Sequence, residues 1–312
     1  MKVMVTGAGG FLGSHICQYF GEAGHPVAAV GRFATDVAFA SSYPGLELLA
    51  GMTLPDPAFV RAVTTFKPDL VVHAAASAKV AESVTRPYFD FQQSVDVCAY
   101  VLDTLRQHAP RATFVLLSSA AVYGNPPELP IREETGPQPM SPYGYHKWLC
   151  ELVVEEYRTL FGMRTATLRI FSAYGERLQR QVVHDLCTQM LTRGDDVRVF
   201  GTGHETRDFV HARDVAQAVE CVAKAPLVGP AVFNVASGVE TSVASLTELL
   251  ARQLDCRKHI TFTDETLPGY PTHWRANISK LEALGYRERV TLADGLHRYC
   301  RWLADELKGR RG

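Results

Sequence analysis

The sequence predicts a doubly wound α/β fold: a parallel sheet covered by helices on both faces, with a smaller, interleaved C-terminal lobe. Three observations carry this expectation. Short Val-, Leu- and Ala-rich runs alternate with helical patterns through the first half of the chain; a glycine-rich turn follows the first run; and the region 262–276, rich in Pro, Thr and Tyr, suits the loops of a ligand-binding lobe. With 312 residues, 46% of them hydrophobic, the chain can bury one large or two interleaved cores, and disorder or a fibrous repeat is excluded.

The runs at 2–6, 26–30, 69–75, 113–118 and 165–170 are continuously apolar rather than alternating, as expected of strands buried on both faces. Between the first two, Leu12, Ile16 and Phe20 recur at helical spacing, and Gly24 stops that helix before Pro26. Ser141 followed by Pro142 is an N-cap with a first-turn proline, so a helix starts there. Beyond 170 the pattern predicts a helix near 182–192, a strand at 231–235 and a helix from Ser242. These place a nucleotide-binding domain at 1–170, with 208–238 returning to it, and a substrate-binding lobe at 171–207 and 239–312.

Lys and Arg number 32 against 33 Asp and Glu, a net charge of -1, which argues against nucleic acid or an anionic membrane surface as partner and leaves room for a local cationic site. The seven cysteines (Cys17, Cys98, Cys150, Cys187, Cys221, Cys256, Cys300) form no CxxC pair, so reduced structural thiols and no metal site are expected. Met1 leads straight into a strand without a signal-peptide pattern, and no apolar run approaches the ~18 residues of a membrane helix; a cytoplasmic protein is expected.

After the first strand comes Thr6-Gly7-Ala8-Gly9-Gly10-Phe11-Leu12-Gly13, with Gly7, Gly10 and Gly13 spaced G-x-x-G-x-x-G ahead of a helix. Glycine permits a tight turn and close approach of a pyrophosphate, which the free N–H groups and positive helix end attract, so dinucleotide binding is expected at Gly7, Gly10, Phe11, Leu12 and Gly13. The second strand ends Ala29-Val30-Gly31-Arg32, with no carboxylate before Asp36. An acidic residue there would suit the ribose of NAD. Gly31 leaves room for a 2′-phosphate and Arg32 can pair with it, so NADP is favoured over NAD.

Tyr143 and Lys147 fall four apart on one helix face, within reach of one ligand. A free phenol has a pKa of about 10, and a neighbouring ammonium favours its phenolate as a proton acceptor. Ser118-Ser119-Ala120-Ala121-Val122-Tyr123-Gly124 stands where the strand from 113 ends, and ligands bind at the carboxyl ends of strands in open α/β sheets.

With these motifs the sequence resembles the extended short-chain dehydrogenases/reductases, specifically their NAD(P)-dependent nucleotide-sugar epimerase/dehydratase group. The resemblance also rests on His73-Ala74-Ala75-Ala76 with Val80, Ser83 and Pro87, on Leu168-Arg169-Ile170-Phe171 with Tyr174-Gly175, on Arg207-Asp208-Phe209-Val210-His211 with Asp214, and on Phe233-Asn234-Val235-Ala236-Ser237-Gly238. It implies a Rossmann-like fold, with Tyr143 as acid/base, Ser119 as partner of the reacting oxygen and Lys147 on the nicotinamide ribose. It further implies Ala74, Ala75 and Ala76 beside the cofactor, Arg207 on a substrate diphosphate, and Ser172 where many relatives carry Asn near that diphosphate. Met52 replaces the Asp that usually meets adenine, and the segment 267–270 lacks an Arg that relatives often carry, for which Arg275 is a candidate replacement. His73 is taken as a satisfied strand-end histidine.

Ala120 and Ala121 stand where dehydratases and decarboxylases of the group carry acidic or hydroxyl residues, so those reactions are disfavoured. What remains is hydride transfer at the sugar C4 of a nucleotide-diphosphate sugar, as a 4-epimerase or a 4-ketoreductase. A non-catalytic NADP-binding sensor of the same fold is the rival. The resemblance also implies a homodimer through two helices, one carrying Val97, Val101, Leu102 and Leu105, the other Leu149, Leu152, Val153, Tyr157 and Leu160.

Overall fold

The computed structural model describes residues 1–33, 43–77, 80–192, 194–227, 229–265 and 271–309; Asp36 and the 267–270 segment lie outside them. Six strands of the first half, β1 (Val3–Thr6), β2 (Val27–Gly31), β3 (Leu46–Gly51), β4 (Leu70–His73), β5 (Thr113–Ser119) and β6 (Thr165–Ile170), are joined by β10 (Val232–Val235) in one seven-stranded sheet. All pairings are parallel and the order is β3-β2-β1-β4-β5-β6-β10, so the chain reverses direction of travel between β1 and β4. That reversal leaves a crevice at the carboxyl ends of β1 and β4, where an open α/β sheet binds its ligand.

Helices cover both faces because the strands are apolar on both. On β1, Val3 and Val5 face α1 (Phe11–Glu22) and α8 (Ala212–Lys224), through Ile16, Phe20, Val215 and Val219. Met4 points the other way, into a core built with α2 (Ala58–Phe66), α5 (Val97–His108) and α6 (Pro142–Phe161). Each fully buried Leu, Ile or Phe here contributes ~1.5–3 kcal/mol relative to exposure. Val97, Val101, Leu102 and Leu105 belong to this core at 2% exposure or less, so the α5 stripe expected at a dimer interface instead packs on its own sheet. On α6, by contrast, Leu152 and Leu160 are 49% and 69% exposed.

Before α5 come α3 (Val80–Thr85), α4 (Pro87–Phe91) and a π turn at Gln92–Asp96. The smaller lobe holds α7 (Gln181–Leu191), α9 (Val243–Gln253) and α11 (Leu292–Gly309) around Leu186, Leu246, Leu250, Leu296 and Tyr299. Its strands form two small sheets: β7 (Ser172–Tyr174), β9 (Thr206–His211) and β11 (Glu240–Ser242) in one, β8 (Asp196–Val199) with β12 (His259–Phe262) in the other. The return of the chain to the large sheet is thus made by α8 and β10, while β9 stays with the small sheet. The helical stretch α10 (Ser279–Glu282) also leaves the lobe, packing Leu281 into the large core.

Candidate active site

The loop after β1 is shaped by what it must pass. Gly7 has φ +72°, and a Cβ there would lie 2.6 Å from the backbone of Ala74 and Ala75 at the end of β4. Gly10 caps α1 without a side-chain hydrogen bond, and no acidic residue occupies the first turn of that helix. The positive helix end and its N–H groups therefore face a bare cradle of backbone, a surface suited to a pyrophosphate. The missing side chain of Gly31 is used by this same loop, since a Cβ there would stand 3.3 Å from the Ala8 nitrogen. Arg32 follows, exposed and lining the cleft.

Hydroxyls at the end of β5 divide their work. Ser118 donates to Glu151 Oε1 at 2.6 Å in the interior, and Glu151 is gripped by Arg169 through Nε and a terminal nitrogen at 2.7 Å. Burial opposes the charge on Arg169, but hydrogen bonds and attraction from Glu151 outweigh it and hold the guanidinium protonated. Ser119 instead accepts from the Ala121 N–H at 3.1 Å, capping a single 3₁₀ turn at Ala120–Val122. With an acceptor site so used, its O–H is free to donate toward the cleft it lines.

The helix α6 begins as expected, with Ser141 accepting from the Gly144 N–H at 3.2 Å and Pro142 in the first turn. A Cβ on Gly144 would lie 2.7 Å from the Ala121 carbonyl oxygen, so glycine lets α6 press against the turn after Ser119. The Tyr143 N–H donates to Ser83 Oγ at 3.0 Å. One turn on, Lys147 is 6% exposed; its Nζ donates to the Leu117 carbonyl at 3.0 Å and lies 5.8 Å from the Tyr143 ring centre. His73 is buried, shares a 2.8 Å hydrogen bond with Thr6 Oγ1, and is pushed down to about 3 by burial and then by the Lys147 charge, so it stays neutral.

These pieces meet in one cleft of about 450 Å³, lined by Gly7, Gly10, Phe11, Leu12, Gly13, Arg32, Ala74, Ala76, Ser119, Tyr143 and Lys147 from the residues singled out in the sequence. Gly31, Met52 and Ala75 stand outside its walls: the Met52 N–H donates to the Gly31 carbonyl at 2.9 Å, and its side chain packs against the core. Ser172 and Arg207 stand outside too. Arg207 donates to the Thr206 and Thr272 carbonyls and lies 5.7 Å over the Trp274 ring. Its neighbour Asp208 accepts from the backbone of Ser237, Gly238 and Ala276, and burial lifts its carboxyl to about 6 against those hydrogen bonds. The cleft gains Glu82, Phe89, Gln93, Leu178, Arg180 and Gln181, none picked out in the sequence, because no residue type or motif in those stretches points to a ligand.

A dinucleotide fits the residues present: a backbone cradle free of side chains at an uncapped helix start, and a buried ammonium further along the same cleft. Among the described residues no group of three or more His, Cys, Asp or Glu is arranged to hold a metal ion, and no helix is long and apolar enough to cross a membrane.

Comparison with known proteins agrees with this geometry. A putative UDP-glucose 4-epimerase of Methanocaldococcus jannaschii is 28% identical over 305 residues, covering 96% of this chain and 98% of that protein. The structure of Thermotoga maritima UDP-glucose 4-epimerase with UDP-glucose superposes with a TM-score of 0.87 at 26% identity, covering 98% of this chain and 100% of that one. The UDP-glucuronic acid 4-epimerase of Bacillus cereus, in complex with UDP-glucuronic acid and NAD, gives 0.88 at 26% identity over the same shares. Residues 3–236 match the model of the NAD dependent epimerase/dehydratase family, and the protein, an enzyme of the extended short-chain dehydrogenase type, belongs to that family.

Proposed function

We propose that this enzyme interconverts the C4 epimers of a uridine-diphosphate hexose, using a tightly held nicotinamide dinucleotide. The observation that carries the proposal is the convergence of Ser119, Tyr143 and Lys147 on one cleft, with no ionisable side chain at Ala120 or Ala121 in the turn that follows Ser119. The relatives named above, which act on or hold UDP-sugars, support uridine as the nucleoside.

A nicotinamide dinucleotide held by this cleft would supply hydride chemistry at the sugar C4. The protein manages the proton. The Tyr143 phenol oxygen takes the proton of the C4 hydroxyl during oxidation and returns it during reduction, so one group serves both halves and no net redox change results. Ser119 donates to the reacting oxygen. Lys147, fixed on the Leu117 carbonyl, places a positive charge beside Tyr143 and would hold the ribose next to the nicotinamide. Gly7, Gly10, Phe11, Leu12 and Gly13 would hold the pyrophosphate; Ala74, Ala75 and Ala76 flank it. Ala120 and Ala121 can take no proton from C5, which opposes elimination of water. Arg207 and Ser172 remain proposed contacts of the substrate diphosphate.

Arg32 favours a second reading, a 4-ketoreductase drawing on NADPH, because it offers a guanidinium at the end of β2. The NAD complexes among the structural neighbours give NADP no support; NADP rests on Arg32 alone. The exposed Leu152 and Leu160 of α6 support a homodimer through that helix. The deciding experiment supplies UDP-glucose or UDP-galactose to the purified enzyme. Interconversion without net loss of cofactor is expected. Inertness toward both, with stoichiometric oxidation of NADPH by a 4-keto nucleotide sugar, would establish the reductase instead, and binding without either activity would leave a sensor.

A further inference from the structure

One wall of the cleft is built by α4 and the π turn, which contribute Phe89 and Gln93 and pack against the helix that carries Tyr143 and Lys147. Between those two residues Asp90 turns inward. It is 1% exposed, and its Oδ2 lies 2.6 Å from Nδ1 of His146. His146 stands on α6 between Tyr143 and Lys147, with its side chain 12% exposed and its ring edge-on to Phe91 at 5.6 Å. The second carboxylate oxygen, Asp90 Oδ1, is buried with no hydrogen-bond partner among the described residues, as is the hydroxyl of Ser94 one turn later. A buried carboxylate satisfied on one side only is costlier than an apolar pair of the same volume. Packing by itself does not account for it.

We propose that Asp90 and His146 are a positioning pair for the reaction: a buried bolt that fixes the Phe89/Gln93 wall against the Tyr143/Lys147 wall and so sets where the sugar C4 stands relative to the phenol oxygen. The proposal rests on the assignment of Tyr143 above. Three features support it. The bolt joins a turn carrying two cleft residues to a turn carrying two others, so movement at either end displaces groups on both walls. A π turn adjoins it, and such turns leave part of the backbone less constrained by i→i+4 bonding, so a side-chain tie has something to fix. The helix that carries Tyr143 is also held at a second point. Ser83, which accepts from the Tyr143 N–H, ties the backbone of the same helix one turn earlier, so Asp90 is left with the side-chain half of the task.

The test compares Asp90→Ala, His146→Ser and Asp90→Asn with the parent enzyme, using UDP-glucose and UDP-galactose, and measures kcat, KM, dinucleotide affinity and Tm. Asp90→Ala and His146→Ser are expected to lower kcat by roughly tenfold or more, the scale of a sub-ångström to ångström misplacement of reacting groups, with KM and dinucleotide affinity within about twofold. Asp90→Asn keeps an oxygen that accepts from the imidazole N–H, and should restore kcat to within about threefold of the parent. The double variant Asp90→Ala/His146→Ser should be no slower than either single one, because the two act as a unit. Unchanged kcat in a folded Asp90→Ala enzyme would overturn the proposal. So would a loss that raises KM and weakens dinucleotide binding in step with kcat, or one that Asp90→Asn shares in full. Tyr143→Phe is run alongside: if it too leaves turnover intact, the fault lies with the active-site assignment, and if it alone abolishes turnover, the fault lies with the bolt.

Discussion

Tyr143 is distinguished less by its own side chain than by what surrounds it: a backbone bond to Ser83, a glycine beside it that admits the turn after Ser119, and a buried lysine one turn on. Tyr143→Phe removes only the oxygen that exchanges the proton, so turnover should fall by roughly 10²–10⁴-fold, while dinucleotide binding, followed by nicotinamide fluorescence on titration with NADH and NADPH, should persist. Arg32 acts at the other end of the cleft. If it meets a 2′-phosphate, Arg32→Ala should weaken NADP(H) by about tenfold or more, the loss of one charge-assisted contact, and leave NAD(H) unchanged. An Arg32→Ala enzyme with unaltered preference between the two dinucleotides would remove the Arg32 argument for NADP. The reacting trio was legible in the sequence because helical spacing and an N-cap put Tyr143 and Lys147 on one face, and a strand end placed Ser119. Phe89 and Gln93 are also four apart, and Arg180 and Gln181 adjacent, but their residue types mark no chemistry; only the assembled fold brings these segments to the cleft.

Elements were legible in proportion to how fully they are buried. The strands β1, β2 and β4 are buried along their whole length and read as almost continuous apolar runs, whereas β8 is half-exposed, with only Val197 and Val199 facing inward, and its short alternation did not stand out. The apolar stripe of α5 misled for the converse reason: periodicity says that a face is covered, and not whether by the same chain or by another. What no periodicity announces is the ion pair beneath β5. Arg169 on β6 and Glu151 on α6 are each 7% exposed, and Ser118, Glu133 and Tyr123 complete their surroundings, so three elements of the large domain are joined through one carboxylate. Removing it strands the guanidinium in the interior. Glu151→Ala should therefore cost about 3–5 kcal/mol in urea unfolding, and Arg169→Met in the same background should recover part of the loss. A cost below about 1 kcal/mol, the scale of exposed pairs, would mean that water reaches the pair and that it does not anchor the site.

At the scale of the whole molecule, near-neutral charge and an apolar helix face together bear on self-association. With 32 cationic and 33 acidic side chains, no large net charge keeps two copies apart, so a dimer requires only an apolar patch that faces its own copy. The α6 surface offers one: Tyr145, Leu152 and Leu160 are 49% to 69% exposed on a single 20-residue helix whose opposite face, through Cys150 and Val154, is locked into the core. Tyr88 and Phe91, exposed on α4 next to that helix, extend the patch toward the cleft. A twofold pairing of α6 with its copy would cover these residues and stiffen the helix that carries Tyr143 and Lys147, linking assembly to turnover. The double variant Leu152→Asp/Leu160→Asp places charges where the two faces would meet and leaves the core residues untouched. Light scattering at micromolar concentration should give a dimer mass for the parent and a monomer mass for the variant, with unfolding of the variant still cooperative and its kcat reduced. A parent that scatters as a monomer would show that the exposed face of α6 serves some other contact.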